Sequence, residues 1–118
     1  MNMLVMPVLD KPEPHPAVDA SQMLESARLT TDFLKSLAHE GRLVILCRLG
    51  EGPATVGELE DLLGIRQAAV SQQLARLRME GLVAPVRDGR SIRYSIADEK
   101  ARRVVRLLYD LFCGRDTA

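Results

Sequence analysis

The periodicity of the chain changes once, sharply, near residue 82. Before that point apolar residues recur three and four apart; after it come two β-branched runs, Leu82 to Arg87 and Ser91 to Ile96, joined through Asp88-Gly89. Asp-Gly between two such runs is a strong hairpin signal, because a two-residue turn that follows the twist of its strands needs positive φ. Pro85 has no N–H to give a sheet. The first run therefore reads as an edge strand, and the pair as a two-stranded ribbon rather than part of a larger sheet.

Four helical segments precede the ribbon and one follows it. Asp19 with Gln22 resembles a capping box, and Leu24, Ala27, Thr31, Leu34 and Leu37 or Ala38 follow at helical spacing, which predicts a first helix over about Ala20 to Ala38. His39-Glu40 breaks the pattern, with His39 as the expected cap of the second helix. Leu43 to Leu49 is apolar on most sides, as a fully buried helix would be, and Gly50, Gly52 and Pro53 are expected to end it. Thr55 with Glu58 forms a second capping box, leading Val56, Leu59, Leu62 and Leu63 to a stop at Gly64. Gln67 to Glu80 carries Val70, Leu74 and Leu77 on one side and Gln67, Ser71, Gln72, Arg76 and Arg78 on the other, closing at Gly81. A last helix starts near Asp98, with Ala101, Val104, Leu108, Leu111 and Phe112 on one stripe and Val105, Tyr109 and Cys113 beside it.

At 118 residues the chain makes one domain, and 47% hydrophobic with 27% charged residues is ordinary soluble composition rather than that of a disordered, collagen-like or rod-forming chain. Aromatics are 3% with no Trp, which suits small packed helices better than a β-sandwich. The fold class expected is mainly α with a two-stranded β-hairpin. The longest apolar stretch in the body, Leu43 to Cys47, is far short of the roughly 20 residues that span a bilayer. Met3 to Leu9 has no basic residue before it, is broken by Pro7 and is followed by Pro12, Pro14 and Pro16, so residues 1–19 read as a disordered arm and not a signal peptide. Residues 20–118 form the domain. Two cysteines, Cys47 and Cys113, without an export signal point to the reducing cytoplasm, where their job is chemical rather than a permanent disulfide.

Sixteen basic and sixteen acidic residues cancel, yet they are not mixed. Met1 to Ile65 carries a net −5, whereas Arg66 to Arg93 carries +4, all of its cations being arginine. Counterion release depends on the local face and not on the total, so this stretch has the makings of a phosphate-contacting surface; a solvated helix face has the same composition.

Two short helices with a tight turn at Gly64, the second rich in Gln, Ser and Arg, followed at once by an Arg-bearing hairpin, have the layout of a winged helix-turn-helix. In that layout the fourth helix enters the major groove, and Arg90 and Arg93 on the hairpin reach phosphates or the minor groove. A small helical interaction domain carrying a hairpin is the competing reading. The polar face of the fourth helix, rich in donors and acceptors and nearly free of carboxylates, favours DNA.

Leu34-Lys-Ser-Leu-Ala-His-Glu-Gly-Arg-Leu-Val-Ile-Leu, the Val56-Gly-Glu-Leu run, the stretch from Ile65-Arg-Gln-Ala-Ala-Val-Ser-Gln-Gln to Leu82-Val, and Arg90-Ser-Ile-Arg-Tyr together resemble the ArsR family of bacterial homodimeric winged-helix repressors, over about residues 20 to 113. The resemblance implies base contacts from Gln67, Ala68, Ser71 and Gln72, with Arg76, Arg90 and Arg93 beside them. It also implies dimerisation through the first and last helices and a palindromic duplex as partner. Where the family often has His, this chain has Gln73.

Many members of that family sense metals through clustered Cys on the third helix or paired Asp and His on the last, and neither cluster is present in the sequence. His15 and His39 are too scattered for a tetrahedral site. No cofactor is expected. Cys47 and Cys113 resemble the cysteine pair of the sulfide-responsive branch of the family, which implies a thiolate reacting with persulfide or polysulfide, a bridge through extra sulfur, and release of the operator. Inert core cysteines, a peroxide or disulfide switch, a metal sensor and a ligand-independent DNA-binding protein are the alternatives. A thiol oxidoreductase would show Cys-x-x-Cys near a βαβ pattern, and the chain has neither.

Overall fold

The computed structural model describes residues 13–114. Two compact units divide the chain, Met1–Thr30 and Thr31–Ala118. In the first, residues 13–19 are exposed and carry no regular structure, while most of the expected arm, residues 1–12, lies outside the described residues. Asp19 then caps helix α1 (Ala20–Leu37): its carboxylate accepts from the Gln22 N–H and from the Ser21 hydroxyl, each at 2.9 Å. The Gln22 N–H holds that carboxyl below its ordinary range, with the Ser21 hydroxyl adding to the effect.

The second unit holds the core and every remaining element. Helix α2 (Glu40–Glu51) starts at His39, whose Nδ1 accepts from the Arg42 N–H at 3.3 Å, so the histidine is a cap as its position predicts. The helix does not end at Gly50. It runs one residue further and closes at Gly52, whose φ of 148° is open to glycine and whose N–H donates to the Leu49 carbonyl. Nor is α2 buried on most sides: Ile45, Leu46 and Leu49 are inside, while Leu43, Val44 and Cys47 are only partly covered.

Thr55 caps α3 (Val56–Leu63) with both arms of the box made, and Gly64 terminates it in the left-handed conformation at φ 68°. Helix α4 (Gln67–Met79) buries Val70, Leu74 and Leu77 as its spacing predicts. Helix α5 (Glu99–Leu108) is capped by Asp98, whose carboxylate accepts from the Lys100 N–H at 2.7 Å. Ala101 and Val105 of α5 are buried. The expected apolar stripe does not continue as α-helix, however: residues Tyr109–Gly114 form a π-helical turn, and Leu111 and Phe112 stand exposed.

The sheet corrects the expectation of a two-stranded ribbon. Strands β2 (Val83–Asp88) and β3 (Ser91–Ile96) form the antiparallel hairpin, and a two-residue strand, β1 (Ala54–Thr55), adds to the other side of β3, giving the order β1-β3-β2. Pro85 lies on edge strand β2 as predicted, opposite Tyr94. Asp88 is paired with Ser91 and belongs to the strand, so the turn consists of Gly89, at φ 65°, and Arg90. Around this frame Ile45, Leu46, Leu49, Leu59, Leu74 and Leu77 form the centre of one apolar core, closed by Leu82, by Val83 and Ile96 from the hairpin and by Ala101 and Val105 from α5.

Candidate nucleic-acid interface and thiol pair

Burying Val70, Leu74 and Leu77 forces the opposite face of α4 outward, and Gln67, Ala68, Ser71, Gln72 and Arg76 are all exposed on it. Arg76 pairs with Glu80 one turn on, at 3.5 Å. Gln73 lies elsewhere. It is half-buried, and its Oε1 accepts from Nη1 of Arg42 at 3.4 Å.

Sequence reading missed Arg42. It is a buried arginine whose Nε donates to the Ser36 carbonyl at 2.9 Å and whose Nη2 donates to the Lys35 carbonyl at 3.3 Å, so it satisfies carbonyls at the C-terminal end of α1. The only available signal is an arginine at the head of an otherwise apolar helix.

Of the three arginines on the hairpin, Arg90 and Arg93 differ. Arg90 is exposed at the tip and makes no ion pair among the described residues. Arg93 is partly covered, with Nε 3.2 Å from Asp88 Oδ2 and Nη1 3.5 Å from Glu58 Oε1. Glu58 was legible as a cap but not as a partner of the hairpin. The contact arises because β1 pairs Thr55 with Arg93, which brings the start of α3 to β3. The Glu58 carboxyl is held below the ordinary range chiefly by the Thr55 N–H; desolvation opposes this, and the nearby Arg93 and Arg48 add smaller lowering effects.

The cysteines belong to α2 and to the turn after α5. A cleft of about 650 Å³ at the junction of α2 and α5 is lined by Cys47, Gly50, Glu51, Val105, Arg106 and Asp110, among others. Cys47 is partly buried, and Cys113 is exposed on the π-helical turn that also supplies Tyr109, Asp110 and Gly114 to that cleft. Burial pushes the Cys47 thiol above its ordinary range, and the negative charges of Cys113 and Glu51 push it the same way. Among the described residues no group of three or more His, Cys, Asp or Glu side chains could hold a metal ion. No helix among them is long and apolar enough to cross a membrane.

Residues 39–84 match the family described as "Bacterial regulatory protein, arsR family". The chain is 41% identical over 106 residues to the biofilm growth-associated repressor of Agrobacterium fabrum, an alignment covering 90% of this chain and 91% of that one. The chain belongs to the arsR family. Two further likenesses bear on this arsR-family fold. The crystal structure of the transcriptional repressor BigR from Xylella fastidiosa superposes with a TM-score of 0.77 at 38% identity, covering 85% of this chain and 99% of that one. The transcriptional activator HlyU of Vibrio cholerae is 33% identical over 96 residues, 81% of this chain and 89% of the relative. The helical frame with its β-hairpin wing is thus that of a winged helix-turn-helix, and the protein is a bacterial regulatory protein rather than an enzyme.

Proposed function

We propose that this arsR-family protein is a dithiol-controlled transcriptional repressor that holds operator DNA when reduced and releases it when Cys47 and Cys113 react with persulfide or polysulfide. Residues 20–118 are its DNA-binding and dimerisation domain. Two copies of α4 related by a twofold axis meet the half-sites of a palindrome about one helical turn, roughly 34 Å, apart. Gln67, Ala68, Ser71 and Gln72 face the bases; Arg76, Arg90 and Arg93 serve the phosphates. The observation that supports this reading is the face of α4, on which every one of the four base-facing residues is exposed while the opposite side is buried in the core.

The switch follows from the placement of the thiols. Cys113 is the exposed one, and burial raises the Cys47 thiol above its ordinary range, so Cys113 attacks first and Cys47 completes the bridge. The Cys113 thiolate takes the outer sulfur of RS–SH and expels RS⁻, leaving a Cys113 persulfide. A second RS–SH lengthens that chain by one sulfur, again releasing RS⁻. Cys47 then attacks the middle sulfur of the Cys113 hydrotrisulfide and expels HS⁻. Two thiols and two persulfides thereby yield one trisulfide bridge, two RSH and one H₂S, with no other oxidant required. Such a bridge would join α2, in the core, to the turn after α5. If the bridged protein holds its two reading helices at a spacing unsuited to the operator, affinity falls by the difference in fit between the two states.

A gel-shift titration of reduced, peroxide-treated and persulfide-treated protein on its own upstream DNA tests the reading. Reduced protein should shift the duplex and persulfide-treated protein should not. Equal binding in all three states would leave a ligand-independent DNA-binding protein.

A further inference from the structure

Arg93 is held by two carboxylates, Glu58 and Asp88, while Arg90 is held by none among the described residues. Oε1 of Glu58 is approached from three elements: the Thr55 N–H of β1 at 2.9 Å, Nη1 of Arg93 on β3 at 3.5 Å, and Nη2 of Arg48 on α2 at 4.0 Å. The Nε of the same Arg93 guanidinium faces Asp88 Oδ2 at 3.2 Å. None of this is incidental to the fold. The antiparallel register sets Thr55 opposite Arg93, and the capping box fixes the Glu58 side chain back over Thr55, so the carboxylate arrives at the guanidinium already oriented. A phosphate can take Nη1 of Arg93 only by displacing Glu58, whereas Arg90 at the tip meets it unopposed.

We propose that Glu58 is a positioning residue for the wing, setting its grip on DNA by competing with the phosphate backbone for Arg93. The inference rests on the DNA-binding reading above. In free protein Glu58 and Asp88 neutralise Arg93; on the duplex a phosphate replaces Glu58, and one negative partner is exchanged for another. Net gain from Arg93 is therefore small, and counterion release from its phosphate is partly cancelled. The effect is the same for every sequence, because phosphates carry no base information. Glu58 thus trims the sequence-independent part of affinity and leaves base preference with α4.

Glu58→Gln tests the idea, since glutamine keeps the acceptor of the capping box and removes only the charge. Reduced E58Q protein should bind operator and unrelated duplex alike roughly two- to fivefold tighter at low salt, the size of an exposed ion pair. Its plot of log affinity against log salt should steepen by up to about one unit, as for one more phosphate neutralised. In an Arg93→Gln background the same substitution should change neither quantity. Glu60→Gln, on the same helix, measures the general loss of negative charge. Weaker binding by E58Q at an unchanged melting temperature, a gain no larger than that of E60Q, or a gain that survives in the R93Q background would each overturn the proposal while leaving DNA binding intact. Wild-type protein with no duplex affinity would overturn both readings together.

Discussion

Nη1 of Arg42 donates to Oε1 of Gln73 at 3.4 Å, while the rest of the guanidinium serves the Lys35 and Ser36 carbonyls. One buried cation therefore joins the end of α1 to the back of the helix that faces outward with Gln72. Replacing it takes the Arg42 donor from the buried Ser36 carbonyl, which costs more than the loss of the hydrogen bond itself, whereas the Lys35 carbonyl keeps the Ala38 N–H. Arg42→Met should lower stability by about 1–3 kcal/mol in urea unfolding. An unchanged midpoint and slope would show that Arg42 is not the strut described.

Gly50 and Gly64 should respond to alanine in opposite directions. Gly50 lies inside α2, and a Cβ there would meet Val105 Cγ1 at 3.5 Å, an ordinary contact. Gly50→Ala should stabilise the protein by roughly 0.5–1 kcal/mol, since glycine is a poor helix former. Gly64 sits at φ 68°, so alanine there should destabilise by roughly 1–2 kcal/mol although nothing crowds it. Thermal melts of the two variants check the pair; shifts of the same sign would contradict it.

Reading and anchoring should separate by mutation. Gln72→Ala should cost about 1–3 kcal/mol on the preferred site and little elsewhere, whereas Arg90→Ala should weaken all sequences and flatten the salt slope by about one unit. Anisotropy titrations on operator and scrambled duplex at several salt concentrations would distinguish them. Identical behaviour of the two variants would remove the division between α4 and the wing.

The two thiols should differ in their response to pH. A raised pKa means less thiolate at neutral pH, so Cys47 should be alkylated slowly at pH 7 and accelerate only above the ordinary thiol range. Cys113 is exposed and should be labelled first. Because the charge of Cys113 contributes to the shift, Cys113→Ser should move the Cys47 profile towards lower pH. Peptide-resolved iodoacetamide rates give both curves, and a Cys47 profile at or below the ordinary thiol range would contradict the burial described.

The local chemistry of the chain was legible where a few neighbouring residues decide the outcome. The Thr55–Glu58 box, the His39 cap, the buried Val70, Leu74 and Leu77, and the hairpin after Leu82 all depend on short-range geometry. What escaped depends on distant partners. Two residues, Ala54 and Thr55, have no periodicity, and they become a strand only because β3 offers them hydrogen bonds. Of the expected stops Gly50, Gly52 and Pro53, Gly52 supplies the unusual backbone angle and leaves Gly50 in the helix. The π-helical turn after Leu108 breaks a stripe that looked continuous as far as Phe112, and it sets the backbone on which Cys113 stands. Both cysteines were visible as candidates. That Glu51 and Arg106 share the Cys47 cleft, and that Glu58 reaches Arg93, required the packed chain.

The central claim is that release of DNA and sulfur bridging are one event. Its most direct test is peptide mass spectrometry on protein that polysulfide has driven off a labelled operator. The expected product is a crosslink between the peptides carrying Cys47 and Cys113 whose mass includes at least one sulfur beyond the two cysteines, with retention of DNA by Cys47→Ser and Cys113→Ser under the same treatment. A link with no added sulfur, or release that survives in either single variant, would contradict it.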